Sequence, residues 1–217
     1  MDYIGRIDLE TGKEETVLEE KIEKEYESLI LYGACSNGVV FGHMEGIDAE
    51  YGDPGFYDAV NQMQISLKRW DGKTGKVTTL FQESSKKCPG IQMIDKGKMF
   101  MTVPGEAGVD TYIYDLNTQK QTFAFKGSAW HWGGGYALRP DDSNNTWHLY
   151  DLHNDKILSY ELADQCLFPE QLSEQGVVVW MDSETEETER SFYYIAYESL
   201  TDGLQKADML FLFDGMQ

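Results

Sequence analysis

The chain has 217 residues, of which 41% are hydrophobic and 13% aromatic, a composition typical of a protein with a packed core. Thirty-eight acidic residues against eighteen basic ones give a net charge of −20, and a field of that sign repels nucleic acid and anionic membrane surfaces. No apolar run approaches the roughly eighteen residues of a membrane span. We therefore expect a protein or carbohydrate ligand, with no nucleic-acid partner and no membrane span.

A short motif recurs along the chain and orders the predicted elements. In each copy an apolar strand ends in Asp, a tight turn containing Gly, Asn or Asp follows, and a Lys opens the next strand. These turn residues tolerate the left-handed backbone that tight hairpin turns require. Each copy therefore predicts a β-hairpin in which the Asp caps the turn. The motif Asp residues are Asp8, Asp71, Asp115, Asp151 and, in a clipped copy, Asp214.

The chain reads as a series of repeats, with one hairpin first and longer units after it. The predicted units cover residues 1–19, 28–82, 88–126, 127–162 and 165–217. The three middle units each contain four apolar runs separated by turn residues, whereas only three runs are evident in the last unit. Four-stranded repeats of roughly 40 residues are typical of β-propeller blades. We predict a single all-β domain, a propeller of about five four-stranded blades with an incomplete terminal blade. Either N- and C-terminal strands close that blade, or the chain is part of a larger propeller whose missing strands come from elsewhere.

Continuous apolar runs predict strands that are buried on both faces, since only such strands avoid alternation with polar residues. These runs are Leu29–Leu31, Val39–Phe41, Met99–Met101, Val177–Trp180 and Tyr193–Ile195. The segment 46–62 contains acids, glycines and a proline, and is predicted to be a long loop. We expect no helix longer than about two turns.

Two copies of the motif resemble a known class of repeat. Ile7–Lys13 and Trp70–Lys76 resemble the blade motif of bacterial propellers of the TolB and YncE type, and of propeller domains in surface lipoproteins of gut Firmicutes. The resemblance implies a propeller over nearly the whole chain. Because those families include binding modules, scaffolds and sensors, it implies no particular activity. The compartment stays open, and an extracellular or cell-surface protein whose export signal is absent from this chain is one interpretation.

The first candidate site is a loop rich in both acids and aromatic rings. In a propeller, the loops after the second and fourth strands of a blade lie at the channel mouth, where ligands usually bind. Residues 48–58 follow a second strand and contain four acids and three aromatics. Three interpretations stay open: a Ca²⁺ site made of oxygen ligands, a carbohydrate platform made of ring faces, or a solvated insertion whose rings pack on the blade.

The second candidate segment opens the unit at residues 127–162. Strand alternation places Trp130 and Trp132 on one side of the strand and His131 on the other. The two tryptophans either pack between blades or form an aromatic wall near the channel mouth. We predict that this segment and the loop 48–58 lean over one funnel. The predicted ligand-binding residues are Tyr51, Asp53, Phe56, Tyr57, Asp58, Trp130, Trp132, Arg139 and Asp141.

The sequence contains no pattern that specifies catalysis. It lacks a phosphate-binding glycine loop, a metalloprotease helix motif and a recognisable nucleophile with its base. We therefore predict no catalytic residue, no metal ligand and no cofactor, with Ca²⁺ at the loop 48–58 as the alternative that stays open. The favoured function is a non-catalytic binding or protein-interaction module for a neutral glycan, a peptide or a partner protein at the channel mouth. The alternative is a glycan-active hydrolase or lyase, which needs two carboxylates about 5–10 Å apart in the channel.

Overall fold

The computed structural model describes residues 2–35, 38–105, 108–141, 146–154, 156–161, 167–182, 189–202 and 209–216. Nearly all of the regular structure in these ranges is β-strand. The strands are β1 (Asp2–Ile7), β2 (Glu14–Glu20), β3 (Glu27–Cys35), β4 (Gly38–Glu45), β5 (Gln64–Asp71), β6 (Val77–Ser84), β7 (Gly90–Asp95), β8 (Lys98–Gly105), β9 (Gly108–Asp115), β10 (Gln121–Lys126), β11 (His131–Gly133), β12 (Tyr136–Asp141), β13 (Thr146–Asp151), β14 (Lys156–Glu161), β15 (Phe168–Leu172), β16 (Gly176–Asp182), β17 (Glu189–Ala196) and β18 (Met209–Met216). The helices are α1 (Phe56–Gln62) and a 3₁₀ helix (Tyr197–Asp202).

The strands form four sheets of four strands and one sheet of two. In each sheet the strands that follow one another in sequence also lie side by side, as expected for antiparallel strands joined by short turns. We name the sheets the N-terminal hairpin (β1–β2), blade 1 (β3–β6), blade 2 (β7–β10), blade 3 (β11–β14) and blade 4 (β15–β18). This is the strand order of propeller blades. The predicted all-β propeller class is confirmed.

The last blade differs from its prediction. Residues 168–216 supply all four of its strands, because β15 forms the strand that the sequence did not reveal. The N-terminal hairpin is a separate sheet, so the chain termini do not share the strands of one blade. Segment 168–172 reads Phe-Pro-Glu-Gln-Leu, without the apolar run of a buried strand. A proline is tolerated there because β15 lies at an edge of the sheet.

The chain divides into two compact units, residues 1–122 and 123–217, with the boundary inside β10. In the first unit, blades 1 and 2 pack face to face through a buried cluster. Its members are Val40, Leu67, Met99, Met101, Tyr114 and Leu116. In the second unit, blades 3 and 4 pack in the same way. That core includes Leu138, Leu149, Val177, Val179 and Ile195. Each unit therefore buries one face of a blade against its neighbour.

The buried runs were predicted with mixed success. Val177–Trp180 and Tyr193–Ile195 are not buried on both faces, because Val178, Trp180, Tyr193 and Tyr194 are only half-buried. Val40, Phe41 and the run Met99–Met101 are almost fully buried, as expected. The run Leu29–Leu31 is a wrong prediction, since Leu31 is 55% exposed. That run belongs to β3, an edge strand of blade 1 that has a hydrogen-bonded neighbouring strand, β4, on one side only.

A short helix interrupts the segment that was predicted to be a loop. α1 occupies seven residues, about two turns, at the end of the long connection between β4 and β5. No helix among the described residues exceeds this length, as predicted. Within the same ranges, none has the length and apolar character needed to cross a membrane.

The Asp residues of the repeated motif cap their turns. The Asp71 carboxylate accepts hydrogen bonds from the backbone N–H groups of Lys73 and Thr74, at 3.0 and 2.8 Å. Hydrogen bonds from the residues two and three positions later recur at Asp8, Asp115 and Asp151. These contacts stabilise the ionised form, so backbone hydrogen bonding is the main cause that lowers the pKa of Asp8, Asp71 and Asp115. The predicted capping role is confirmed, while Asp214 lies inside β18.

Candidate functional site

The two ends of blade 1 have different chemistry. One end, the turn end, carries the capped turn at Asp71, which pairs with Gly38. The opposite end, the loop end, is marked by the pairs Glu27 with Glu45 and Gln64 with Ser84. The long connection after β4, with α1 in it, leaves from the loop end. The structure therefore confirms that this loop and the Asp-capped turn lie at opposite ends of the sheet.

A cleft of about 440 Å³ opens at the loop end. It lies between the start of β3, the end of β4 and the C-terminal part of α1. Its walls combine carboxylates, amides, a lysine and a histidine with a few apolar side chains. The lining residues are Glu23, Lys24, Glu27, His43, Glu45, Gly46, Ile47, Ala59, Gln62, Met63 and Gln64. None of the residues predicted from sequence to bind a ligand lines this cleft, and the predicted loop 46–62 contributes only Gly46, Ile47, Ala59 and Gln62 to it.

One wall of the cleft contains a three-member polar array. His43 Nε2 lies 3.0 Å from Glu27 Oε1, and His43 Nδ1 lies 3.1 Å from Lys68 Nζ. Because the Lys68 ammonium can only donate, we infer that Nδ1 accepts and that Nε2–H donates to the carboxylate. This assignment gives a neutral imidazole held between a cation and an anion. The array fixes the His43 ring on the cleft wall.

Glu27 is held in its ionised form. The backbone N–H groups of Glu23 and Lys24 donate to its second oxygen at 2.8 and 3.0 Å. The hydrogen bond from Glu23 is the largest cause, followed by that from His43, and together they lower the pKa of Glu27 to about 2. Sequence reasoning missed this group because Glu27, His43 and Lys68 are far apart in the chain. Only the strand register brings them together.

The aromatic residues of the predicted loop form a cluster around one buried ring. Phe56 is only 8% exposed, and its ring contacts those of Tyr26, Tyr51 and Tyr57 edge-on at 5.5–5.6 Å between centroids. Tyr51 is 77% exposed and Tyr57 69% exposed. Phe56 therefore anchors the cluster, while the two tyrosines present their rings to solvent.

The predicted acids of the loop have local structural roles. Asp53 accepts a hydrogen bond through its side chain from the N–H of Glu50, and through its carbonyl from the N–H of Phe56, both at 3.1 Å. These bonds shape the chain just before α1. Asp58 lies in the first turn of α1, where the partial positive charge of the helix terminus favours a carboxylate. In the part of the chain that the structure describes, no group of three or more His, Cys, Asp or Glu side chains is arranged to hold a metal ion.

The tryptophans of the second unit differ from each other. Trp130 lies before β11 and is 65% exposed, whereas Trp132 lies within the strand and is half-buried. The Trp132 ring stacks on Phe125 at 6.3 Å between centroids, and Phe125 stacks on Tyr150 at 4.0 Å. Trp130 lies one residue outside the strand, so the placement of both tryptophans on one side by strand alternation stays a prediction. Trp132 packs within its unit.

Arg139 acts as a bridge inside the second unit. Its guanidinium donates to the carbonyl oxygen of Lys126 and interacts with Tyr150. Burial raises the pKa of Tyr150, and the charge of Arg139 opposes that shift. Asp141 is the last residue of β12. The loop at residues 48–58 and the segment around Trp130 belong to different units, so a binding site shared by them stays a prediction.

Comparison with known proteins identifies similar folds. No protein-family model matches the sequence, and no curated protein is similar to it. Dipeptidyl peptidase 4 of Porphyromonas gingivalis is 10% identical over 99% of this chain and 37% of its own, with a TM-score of 0.50. TolB of Acinetobacter baumannii is 10% identical over 96% of this chain and 48% of its own, with a TM-score of 0.45. An oligogalacturonate lyase in complex with manganese is 16% identical over 98% of this chain and 48% of its own, with a TM-score of 0.36.

These similarities concern the fold alone, since identity is far below the level at which function is shared. TolB and the lyase are propeller proteins. The chain spans less than half the length of each of the three proteins.

Proposed function

We propose that this chain is a non-catalytic binding module that recognises a neutral glycan, a peptide or a segment of a partner protein at the loop end of blade 1. The observation that carries the proposal is the pair of exposed tyrosines, Tyr51 and Tyr57, held by the buried ring of Phe56. Exposed rings that are fixed from below give contact area at a low cost in conformational entropy. Such surfaces suit sugar rings and extended peptides.

The cleft at the same end of blade 1 offers polar groups that a stacking surface lacks. Gln62 follows Tyr57 on α1, and Gln64 begins the next strand; both side chains line the cleft. Their amides can donate and accept hydrogen bonds at once, as sugar hydroxyls and peptide groups require. Glu45 adds a carboxylate acceptor on the opposite wall, where it already accepts from Gln82 at 2.9 Å. A mixed wall of this kind fits a polar ligand better than an apolar one.

The direction of the carboxyl pKa displacements supports binding rather than glycan hydrolysis. A hydrolase of the usual kind needs one carboxyl group whose pKa is raised, so that it can donate a proton. Among the described carboxyl groups, each one with a displaced pKa has it displaced downward. They are Asp8, Glu27, Asp71 and Asp115. The pKa of Glu27, an acid of the cleft wall, is lowered to about 2, which does not suit a proton donor.

A bacterial cell surface as the site of action is part of this proposal. It rests on the resemblance of the Trp70–Lys76 motif to blades of Firmicutes surface lipoproteins, and on the net charge of −20. A strongly acidic surface favours neutral or basic ligands over anionic ones. Neutral glycans and peptides satisfy that condition.

The proposal is tested by screening the parent protein on glycan and peptide arrays, followed by titration of each hit. Tyr57→Ala should weaken binding at least roughly fivefold, since truncation of a central stacking ring costs more than about 1 kcal/mol. Tyr3→Ala is the matched control, because Tyr3 is 70% exposed on the N-terminal hairpin, outside the proposed site. Equal affinity of the Tyr57→Ala and parent proteins for every hit would refute the site.

A further inference from the structure

Tyr26 has a backbone conformation that residues with a side chain seldom adopt. Its φ is 60°, in the left-handed region, where a Cβ comes too close to the following carbonyl oxygen and which glycine occupies without that penalty. Such residues persist only where the surrounding structure holds them, and they are concentrated at functional sites such as ligand clamps. The tyrosine is therefore retained for its side chain.

The turn that carries Tyr26 is fixed by its neighbours. The Glu27 carboxylate accepts hydrogen bonds from two backbone N–H groups earlier in the turn. The N–H of Ile47 donates to the carbonyl oxygen of Glu25 at 3.1 Å. A Cβ on Gly46 would lie only 2.8 Å from that same oxygen, so the connection after β4 packs closely against the turn. These contacts hold the strained backbone in place.

The Tyr26 ring adjoins both parts of the loop end. It contacts the buried ring of Phe56 edge-on at 5.6 Å between centroids, and the exposed tyrosine pair of the proposed site contacts the same ring. Two other residues of its turn, Lys24 and Glu27, line the cleft. The Tyr26 side chain is itself 39% exposed. It therefore offers a contact surface between the tyrosine pair and the cleft.

The loop end is acidic as well as aromatic. Residues 44–67 contain five Asp or Glu and no Lys, Arg or His. Within the described ranges, neither Glu50 nor Asp58 has a cationic side chain at ion-pair distance. Asp58 shares a side of α1 with Gln62, four positions later, which lines the cleft. A ligand at this end of blade 1 therefore meets exposed rings and carboxylates together.

Rings and carboxylates in combination suit a guanidinium group. An Arg side chain stacks its planar cation on a Tyr ring and pairs with a carboxylate through parallel hydrogen bonds. A neutral sugar uses the ring face but gains nothing from the negative field of the acids. The backbone of an extended peptide also carries N–H and C=O groups, which the amides of Gln62 and Gln64 in the cleft can satisfy. A peptide with Arg side chains thus uses each of these features.

We propose that the loop end of blade 1 binds an extended peptide with arginine side chains, and that Tyr26 is the third ring of this site, between the tyrosine pair and the cleft. The inference rests on the proposed function and narrows its ligand to one class. Glycine would relieve the strain at position 26 but would supply no ring.

Peptides of matched shape test the ligand class. The probe is a short, terminally blocked peptide of alternating Gly and Arg, and its control replaces each Arg by citrulline, which has a similar shape without the charge. Titration calorimetry should show that the Arg peptide binds at least roughly fivefold more tightly. Asp58→Asn should weaken binding of the Arg peptide roughly two- to fivefold. Glu10→Gln is the matched control, because it removes the same charge from an exposed turn of the N-terminal hairpin, and it should bind like the parent.

Variants at Tyr26 separate a ligand contact from a purely structural role. Tyr26→Phe keeps the ring and should bind the Arg peptide like the parent. Tyr26→Ala and Tyr26→Gly both lose the ring, and each should bind at least roughly fivefold more weakly. Tyr26→Gly should nevertheless have a higher Tm than Tyr26→Ala, because glycine relieves the backbone strain. Binding by the glycine variant that is tighter than that of the alanine variant, in step with the two Tm values, would overturn the contact role of Tyr26.

The remaining outcomes distinguish this inference from the proposed function. Equal binding of the Arg and citrulline peptides overturns the ligand class, and equal losses in Asp58→Asn and Glu10→Gln overturn the place of binding. The proposed function stays supported in both cases if Tyr57→Ala weakens the hits from the glycan and peptide arrays. If Tyr57→Ala weakens none of those hits, the proposed function fails and the inference fails with it.

Discussion

Replacement of Gln119 by glycine should stabilise the protein. Gln119 occupies the same turn position as Gly12 and Gly75, with φ of 57° against 68° at both glycines. In all three turns this residue donates its N–H to the carbonyl oxygen of the motif Asp, at 2.7–2.8 Å. A residue with a Cβ pays about 1–2 kcal/mol in the left-handed region. Gln119 thus retains a strain that the two glycines avoid.

The expected gain follows from two opposing terms. Glycine removes the strain of about 1–2 kcal/mol but loses about 0.5–1 kcal/mol through the greater freedom of the unfolded chain. Taken at their midpoints, the two terms leave a net gain of about 0.75 kcal/mol. For a chain of this size, 1 kcal/mol corresponds to roughly 2–4 °C in Tm. Differential scanning calorimetry of Gln119→Gly should therefore show a rise of roughly 1–4 °C.

Two further variants isolate the backbone effect. Gln119→Ala keeps the Cβ and should leave Tm close to that of the parent, because the exposed Gln119 side chain is not the source of the strain. Gly75→Ala introduces the strain into the equivalent turn and should lower Tm. If Gln119→Gly melts at or below the parent temperature while Gln119→Ala behaves like the parent, the strain argument is refuted.

Two other predictions concern the cleft wall and the core. The folded-state pKa of Glu27, about 2 against an ordinary 4.5, means that its stabilising contribution is present above about pH 4.5 and is lost as the pH falls toward 2. The Tm of Glu27→Gln should therefore fall less than that of the parent between pH 5 and pH 2. Glu25→Gln is the control and should behave like the parent. Parallel plots of Tm against pH for the parent and Glu27→Gln would contradict this. In blade 4, Val179→Ala should lower the free energy of unfolding by about 2 kcal/mol. Val178→Ala should lower it by less than about 1 kcal/mol, because only Val179 is fully buried. Equal costs in urea unfolding would show that the assignment of the two faces is wrong.

Local turn chemistry explains why most of the fold could be predicted. The motif Asp residues bind N–H groups only two and three positions away, so the hairpins at Asp8, Asp71, Asp115 and Asp151 can be read from sequence neighbours. Two elements left no such local signal. β15 is short, with a proline and polar residues at a sheet edge, and α1 buries only Phe56. Their positions depend on tertiary packing, which a single sequence does not reveal.

The candidate site was predicted less completely for the same reason. Interleaved rings and acids singled out the loop that carries Tyr51 and Tyr57, but composition does not show which ring is buried. Phe56 became the anchor because it packs among three tyrosines. The array of Glu27, His43 and Lys68 depends on the register of β3, β4 and β5, which long-range pairing sets.

Hydrogen–deuterium exchange tests the central claim, that ligands bind at the loop end of blade 1. The measurement compares the free protein with the protein saturated by a glycan or peptide selected on the arrays. Our account predicts slower exchange in residues 23–27 and 46–64 and unchanged exchange in the capped turn at residues 71–76. Protection confined to that turn, or to blade 4, would contradict the account.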